Sequence, residues 1–192
     1  DHGDGTLVYP VKGPNQQGDL DLLSLAVTTA SDGLRFEATF RNPIRHPDTV
    51  SPDTLGGNTL SMFARHGFYA FNIDIYIDTD RMPGSGNTAT LPGRRAVIAT
   101  ANAWEKAIVL TPRPELMRRQ LRDALTEAAG SGGGELGPTI DRSVFFPTEV
   151  RVRGRTISFF VPTSFLGSAT AAADGAFVAF VTPPWPAPKV HA

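Results

Sequence analysis

The 192-residue chain contains no cysteine, which excludes disulfides, thiolate metal sites, iron–sulfur clusters and covalently attached c-type haem. It also has little excess charge: 18 basic residues stand against 19 acidic ones, so the net charge is −1. A general electrostatic attraction to nucleic acid is therefore not expected. Long hydrophobic runs are missing too, since no stretch approaches the roughly 18 apolar residues of a membrane span. We predict neither a nucleic-acid partner nor a transmembrane segment.

Short strands separated by many turns are the main feature that is present. The 19 glycines and 16 prolines suit frequent turns. Apolar and polar residues alternate over residues 34–40 and 71–78, which is typical of half-buried antiparallel strands. Further strands are predicted at 20–29, 96–100, 104–111, 149–153, 155–161 and 176–181. The segment 176–181 is apolar on both faces, which favours an interior strand.

Turn-forming residues between these strands indicate how the strands are connected and which class of fold they form. The Ser31-Asp32-Gly33 sequence and Gly154 each predict a tight hairpin. About eight strands at this spacing predict one antiparallel β-sandwich, jelly-roll or immunoglobulin-like, covering residues 1–192. The irregular segment 42–67 is long enough to be a functional loop, and the proline-rich tail 183–192 predicts extended chain.

One helix is predicted at residues 114–129. Pro114 suits a first helical turn, Glu115 complements the positive end of the helix dipole, and Gly130 follows the last helical residue. Apolar residues repeat at helical spacing from Met117 onward, so one face is suited to packing. We expect this helix to pack on the sandwich edge or across one open end.

Catalytic signatures are missing from the sequence. There is no phosphate-binding loop, no H-E-x-x-H sequence and no G-x-S-x-G sequence, and the four histidines form no pair at ligand spacing on one predicted element. We therefore predict a protein that is not an enzyme.

Acidic residues near the start suggest a hard cation. Asp1, Asp4, Asp19 and Asp21 lie around glycine-containing turns, and Ca²⁺ binds carboxylate and backbone carbonyl oxygens. A solvated acidic terminus is the simpler alternative. The Asp78-Thr79-Asp80 sequence begins like a calcium loop but lacks the later ligands of an EF-hand, so we interpret these aspartates as organising a turn.

A sugar site is the second ligand hypothesis. Carbohydrates need an exposed aromatic face beside polar groups, and the candidates are Tyr69, Tyr76, Trp104 and Trp185. Tyr76 lies between Asp74 and Asp78 on the polar face of its predicted strand, which favours a ligand-binding set of Asp74, Tyr76, Asp78 and Trp104. In the alternative interpretation that face is merely solvated, or is covered by the 114–129 helix.

Haem b is a third hypothesis, and it requires an axial ligand in an apolar slot. The available residue types are Met62, His66, Met82 and Lys106, and no spacing selects a pair.

Seven segments in order resemble the C-terminal module of glucodextranase and its stand-alone bacterial relatives. Among them are Asp-His-Gly-Asp-Gly at the start and Ile-Asp-Ile-Tyr-Ile-Asp-Thr-Asp at 73–80. The full set is 1–10, 18–22, 73–80, 90–94, 103–107, 150–157 and 161–167. This group is similar in fold to family 9 carbohydrate-binding modules and to DOMON-like sandwiches.

The resemblance implies an exported, periplasmic or extracellular β-sandwich that binds a ligand and has no catalytic residues. In similar modules the acidic N-terminal turn helps to form a calcium site, which supports Asp1, Asp4, Asp19 and Asp21. The facing tryptophan pair of family 9 modules is not placed here.

Relatives of the same fold class leave two alternatives. One is a structural accessory subunit docked on a periplasmic membrane-protein complex through segment 42–67 and the tail. The other is a haem-binding electron-transfer subunit. Carbohydrate binding is our expectation.

Overall fold

A computed structural model describes residues 17–46, 66–94, 96–129, 136–168 and 174–182. The predictions for Asp1, Asp4, most of segment 42–67 (with Met62) and the tail 183–192 (with Trp185) lie outside these residues. The prediction of a single domain over the whole chain stays a prediction.

Within the described ranges, eight strands form two four-stranded sheets. Sheet 1 is antiparallel and has the order β1-β2-β7-β6, with β1 at Leu22–Ala30, β2 at Gly33–Phe40, β6 at Val150–Arg153 and β7 at Thr156–Pro162. Sheet 2 has the order β5-β4-β3-β8, with β3 at Asn72–Asp78, β4 at Lys106–Leu110, β5 at Val144–Phe145 and β8 at Ala176–Thr182. Its β4 and β5 form a short parallel pair, while its other neighbours are antiparallel.

The two sheets pack face to face around a first hydrophobic core. Phe36 and Phe159 from sheet 1 stack with ring centroids 5.2 Å apart, and the Phe36 ring meets Phe177 from sheet 2 edge-on. Ile73 and Ile75 on β3 are fully buried in the same core. Alternate side chains of both sheets thus fill one interior, which confirms the predicted β-sandwich.

A second hydrophobic core lies on the other face of sheet 2. Helix α1, at Pro114–Ala129, begins and ends where the sequence predicts. Its Met117 and Leu121 are each 2% exposed and belong to a cluster that includes Tyr76 and Val109. The helix therefore covers the outer face of sheet 2, and our expectation that it packs on the sandwich edge or an open end is wrong.

Among the described residues, two further α-helices and a 3₁₀ turn at Thr100–Asn102 were not predicted. Helix α2, at Leu136–Ser143, contains Gly137 and Pro138, a pair that resembles a turn signal. Proline is tolerated there because the first turn of a helix needs no amide donor. Ile140 of α2 is 1% exposed and joins the second core. Helix α3 is a single turn at Thr163–Leu166. No helix among the described residues is long and apolar enough to cross a membrane.

Three strand predictions need correction. Residues 96–100 form only an isolated bridge between Val97 and Ala89. Among the described strands, β8 is the end strand of sheet 2 and not an interior one. It is apolar on both faces because Phe177 packs against the first core and Phe180 against the second. Strand β3 is buried on both faces rather than half-buried, since the second core covers its polar side.

Candidate functional site

The Tyr76 ring, predicted to be exposed for a sugar, lies inside the second core. Its side chain is 1% exposed, with the rings of Trp104 and Phe180 packed edge-on at 5.2 and 5.9 Å. Its hydroxyl oxygen accepts a hydrogen bond of 3.0 Å from the Leu91 amide. Burial, together with the charge of Asp74, raises the pKa of Tyr76 above its ordinary value. The expectation of an exposed ring is therefore wrong, and the alternative of a covered face is correct.

Asp74, on the same face of β3, forms a buried ion pair with Arg94. The Arg94 Nε and Nη2 atoms donate to the two carboxylate oxygens at 2.7 and 2.9 Å. The two side chains are 5% (Arg94) and 1% (Asp74) exposed. Burial alone would lower the pKa of Arg94, but hydrogen bonding to Asp74 and its charge outweigh burial and raise it. The pair connects the loop after β3 to the sheet, which is a structural role.

Trp104 completes this buried cluster. It is 5% exposed, and its indole N–H donates to the Ala89 carbonyl at 3.0 Å. Tyr69 is also buried, at 4% exposed. The structure therefore brings Asp74, Tyr76 and Trp104 together, but as core residues with no ring face open to a sugar. Asp78 is buried at the end of β3.

The two described residues of the predicted N-terminal metal site are both paired with arginines. Asp21 accepts a hydrogen bond from Arg41 at 2.7 Å. Asp19 forms an ion pair with Arg45 and accepts from Asn42 at 3.0 Å. Because Asp1 and Asp4 lie outside the described residues, a calcium site at Asp1, Asp4, Asp19 and Asp21 stays a prediction.

The described candidates for haem ligation lie in different surroundings. Met82 is 62% exposed, whereas an axial ligand must point into an apolar slot. The Lys106 amine donates to the Arg142 carbonyl at 2.7 Å and lies over the Phe165 ring. His66 lines a groove of about 660 Å³ at the start of α1 that neither Met82 nor Lys106 lines. These placements give haem binding no support.

A polar groove runs along the outward face of sheet 1 and also reaches Phe145 of sheet 2 and the core residue Phe159. Phe36 and Phe159 point inward, so their neighbours Arg35 and Phe160 point outward and stand opposite each other in register. Ser158 is paired with Arg151 on β6. The groove has a volume of about 590 Å³, within the usual range for small-ligand sites. Its chemically informative lining residues are Asp32, Arg35, Glu149, Arg151, Ser158 and Phe160.

The Phe160 ring packs directly against the backbone of Gly33. A Cβ atom on Gly33 would lie 2.6 Å from this ring and 2.1 Å from the Val161 carbonyl oxygen. Only glycine therefore fits beneath the ring, and Phe160 remains half-buried with part of its surface in the groove. The groove thus has an aromatic surface in a fixed position.

The charged side chains of the groove balance one another. Arg35 and Arg151 supply donors, while Asp32 and Glu149 supply acceptors. Within the described part of the chain, none of the four forms a salt bridge. The groove therefore offers donors, acceptors, a hydroxyl group and an aromatic surface side by side.

Sequence reasoning missed this groove, although it predicted the strands that carry it. Alternation over 34–40 places Arg35 away from the core, but the run Phe159-Phe160-Val161 does not show which phenylalanine points inward. The pairing of β2 with β7 joins residues more than a hundred positions apart, and nothing local specifies it. A closer reading could have used Gly33, whose position beside the hairpin is compatible with close approach of a ring.

Residues 1–183 match the family described as the C-terminal binding module, SLH-like, of glucodextranase. The chain belongs to this family. No curated protein matches the chain. Membership confirms the resemblance seen in the sequence and makes the protein a binding module of the β-sandwich class.

Proposed function

We propose that this glucodextranase-type module is a non-catalytic carbohydrate-binding protein whose ligand lies in the groove of sheet 1. The observation that carries the proposal is the half-buried Phe160 ring flanked by Arg35, Arg151 and Ser158. Family membership supports a binding role, and the enzyme named in its description makes a glucan the first ligand to test.

The groove chemistry matches the two surfaces of a sugar ring. The C–H face of a pyranose can pack on the apolar face of Phe160, as other apolar groups pack on aromatic rings. Its hydroxyl groups both donate and accept, so they can bond to Arg35 and to Glu149 at once. Hydrogen bonds to charged groups contribute about 1.5–3 kcal/mol each. Loss of one such partner should weaken binding roughly ten- to hundredfold.

The direct test is calorimetry of the full chain with soluble α-glucans, together with cosedimentation on insoluble polysaccharides. Arg35→Ala should raise Kd by roughly tenfold or more, and Phe160→Leu should weaken binding while keeping most of the side-chain volume. Arg153→Ala is the matched control, because this exposed arginine lies on β6 but does not line the groove.

Two outcomes would contradict the proposed site. Binding that is unchanged in Arg35→Ala and Phe160→Leu would place the ligand elsewhere. Absence of binding to every polysaccharide tested, by protein that unfolds cooperatively, would refute carbohydrate binding itself.

An exported location, periplasmic or extracellular, is the second part of the proposal. It is supported by membership in a binding-module family described as SLH-like. Fractionation of native cells should find the protein outside the cytoplasm. If it copurifies with membrane-protein subunits and not with glycans, the accessory-subunit alternative is the better account.

A further inference from the structure

Three carboxylates converge where β3 ends and β4 begins. Asp78 is the last residue of β3, Asp80 lies in the following turn, and Glu105 directly precedes β4. The pairing of Ile77 with Lys106 brings the two strand ends side by side. One carboxylate oxygen from each residue lies within 4.8 Å of the others, a spacing that a single bound ion could bridge.

One oxygen in this cluster is buried without a partner. Glu105 Oε2 accepts hydrogen bonds from the Thr79 amide and hydroxyl at 2.8 and 3.0 Å. Glu105 Oε1 is fully buried, and no donor among the described residues reaches it. A buried acceptor of this kind destabilises the fold unless something satisfies it, and more so when it is charged.

Asp78 is the most buried of the three carboxylates. The side chain is 2% exposed, and its Oδ1 atom accepts from the Arg81 amide at 2.6 Å and the Asp80 amide at 3.3 Å. Amide donors of this kind stabilise an ionised carboxylate. Among the described residues, no hydrogen bond is made to its other oxygen, Oδ2.

No cation in the described part of the chain neutralises the three carboxylates. Neither lysine nor arginine there forms a salt bridge with Asp78, Asp80 or Glu105. Like charges this close repel, and buried charges in proteins are normally paired or bound to metal. The negative charge of Asp78, Asp80 and Glu105 is therefore not compensated by any cation among the described residues.

The backbone approaches the cluster closely at Gly86. This residue has φ +76°, and a Cβ atom on it would lie 2.3 Å from Glu105 Oε1 and 2.7 Å from the Trp104 carbonyl oxygen. Any side chain at this position would displace the glutamate. The Trp104 carbonyl oxygen lies on the same side of Gly86 as Glu105 Oε1, but it already accepts a hydrogen bond from the Asn87 amide at 2.8 Å.

We propose that Asp78, Asp80 and Glu105 bind a calcium ion. All the available ligand atoms are hard oxygens, and Ca²⁺ accepts irregular sets of carboxylates, carbonyls and water. The ion satisfies Glu105 Oε1 and ties the turn after β3 to the start of β4. This site uses none of the acidic residues predicted as ligands near the N-terminus.

The test is thermal unfolding of the full, chelator-treated chain with and without calcium. At free calcium a hundredfold above Kd, Tm should rise by about 5–10 °C for a chain of this size. Calorimetry should show a site that Asp80→Asn and Glu105→Gln each weaken at least tenfold. Both replacements keep the size of the side chain, and Asp80 is exposed, so Asp80→Asn should fold.

Two controls make the result specific. Asp123→Asn alters an exposed aspartate on α1 and should leave the calcium response intact. Asp80 also accepts hydrogen bonds from the Met82 amide and the Ser85 hydroxyl, both at 2.9 Å. Asparagine keeps Oδ1 as an acceptor, so without calcium Asp80→Asn should melt close to the wild-type temperature. Loss of the calcium response is the readout that a merely structural aspartate would not give.

Three results would overturn the proposal. One is a Tm that does not respond to chelator or millimolar calcium. Another is a response to magnesium alone. The third is a calcium response that persists in Asp80→Asn and Glu105→Gln but disappears in Asp21→Asn, which would assign the ion to the N-terminal acidic residues.

Discussion

The buried pair of Asp74 and Arg94 gives the strongest stability prediction. Replacing Arg94 with methionine removes a guanidinium that donates two short hydrogen bonds to a carboxylate only 1% exposed. An uncompensated charge then remains in the second core. Breaking buried pairs in this way costs about 3–5 kcal/mol. For a chain of this size we expect Tm to fall by about 6–20 °C.

The assay is urea unfolding combined with thermal melting of Arg94→Met. Arg41→Met is the matched control, since Arg41 pairs with Asp21 while 59% of its side chain is exposed, and exposed pairs contribute at most about 1 kcal/mol. The double variant Asp74→Leu/Arg94→Met should recover much of the loss, because it leaves no buried charge.

Two results would refute this reasoning. A loss below about 1 kcal/mol in Arg94→Met, equal to that of the surface control, would show that Asp74 is not buried as a charged partner. A double variant that is less stable than Arg94→Met alone would show that the pair contributes more than charge compensation.

Three other variants test separate parts of the structure. Tyr76→Ala should lower the free energy of unfolding, measured in urea, by about 3–5 kcal/mol, because the ring is buried in the second core. A loss near zero would show that the ring is exposed. Gly154→Ala should lower the free energy of unfolding by about 1 kcal/mol. Gly154 has φ +57°, and a Cβ atom there would contact no atom within 4 Å, so the loss comes from backbone strain and not from a clash. Asp141→Asn tests an exposed pair. Desolvation is the largest single cause and acts to raise the pKa of Asp141, but the hydrogen bonds and charges of Arg122 and Arg118 together outweigh it and lower that pKa. The pKa of Asp141 is lower in the folded state than in the unfolded state. The ion pairs therefore stabilise the fold at pH above the unfolded-state pKa, and this stabilisation is lost as pH falls through the folded-state pKa. The variant should be less stable than wild type by under about 1 kcal/mol at neutral pH and indistinguishable in strong acid.

Periodicity in the sequence correctly predicted strand β3 and helix α1, but it did not predict which parts of the protein pack against each of them. The alternation at 71–78 correctly separates the two faces of β3, yet it cannot show that α1 packs over the polar one. The spacing from Pro114 to Ala129 likewise defined the helix but not the surface that it covers. Which face is exposed depends on contacts between distant segments, and local pattern carries no information about those.

The candidate sites show the same limit at the level of single residues. Tyr76 looks polar in the alternating pattern, but its hydroxyl is satisfied by the Leu91 amide, so the ring can be buried at little cost. Phe160 looks apolar, yet register places it outward, opposite Arg35. Glu105 is separated from Asp78 by a loop of 26 residues, and only the pairing of β3 with β4 brings them together.

Carbohydrate binding in the outer groove of sheet 1 can be mapped residue by residue. The decisive experiment is chemical-shift mapping of the isotopically labelled chain during titration with a glucan. We predict that the amide signals of Arg35, Ser158 and Phe160 shift together and saturate with one affinity, while those of α1 do not move. Carbohydrate binding in the sheet 1 groove would be contradicted by shifts confined to the other groove, at the start of α1, which His66, Arg113 and Arg119 line, or by no saturable shifts with any polysaccharide.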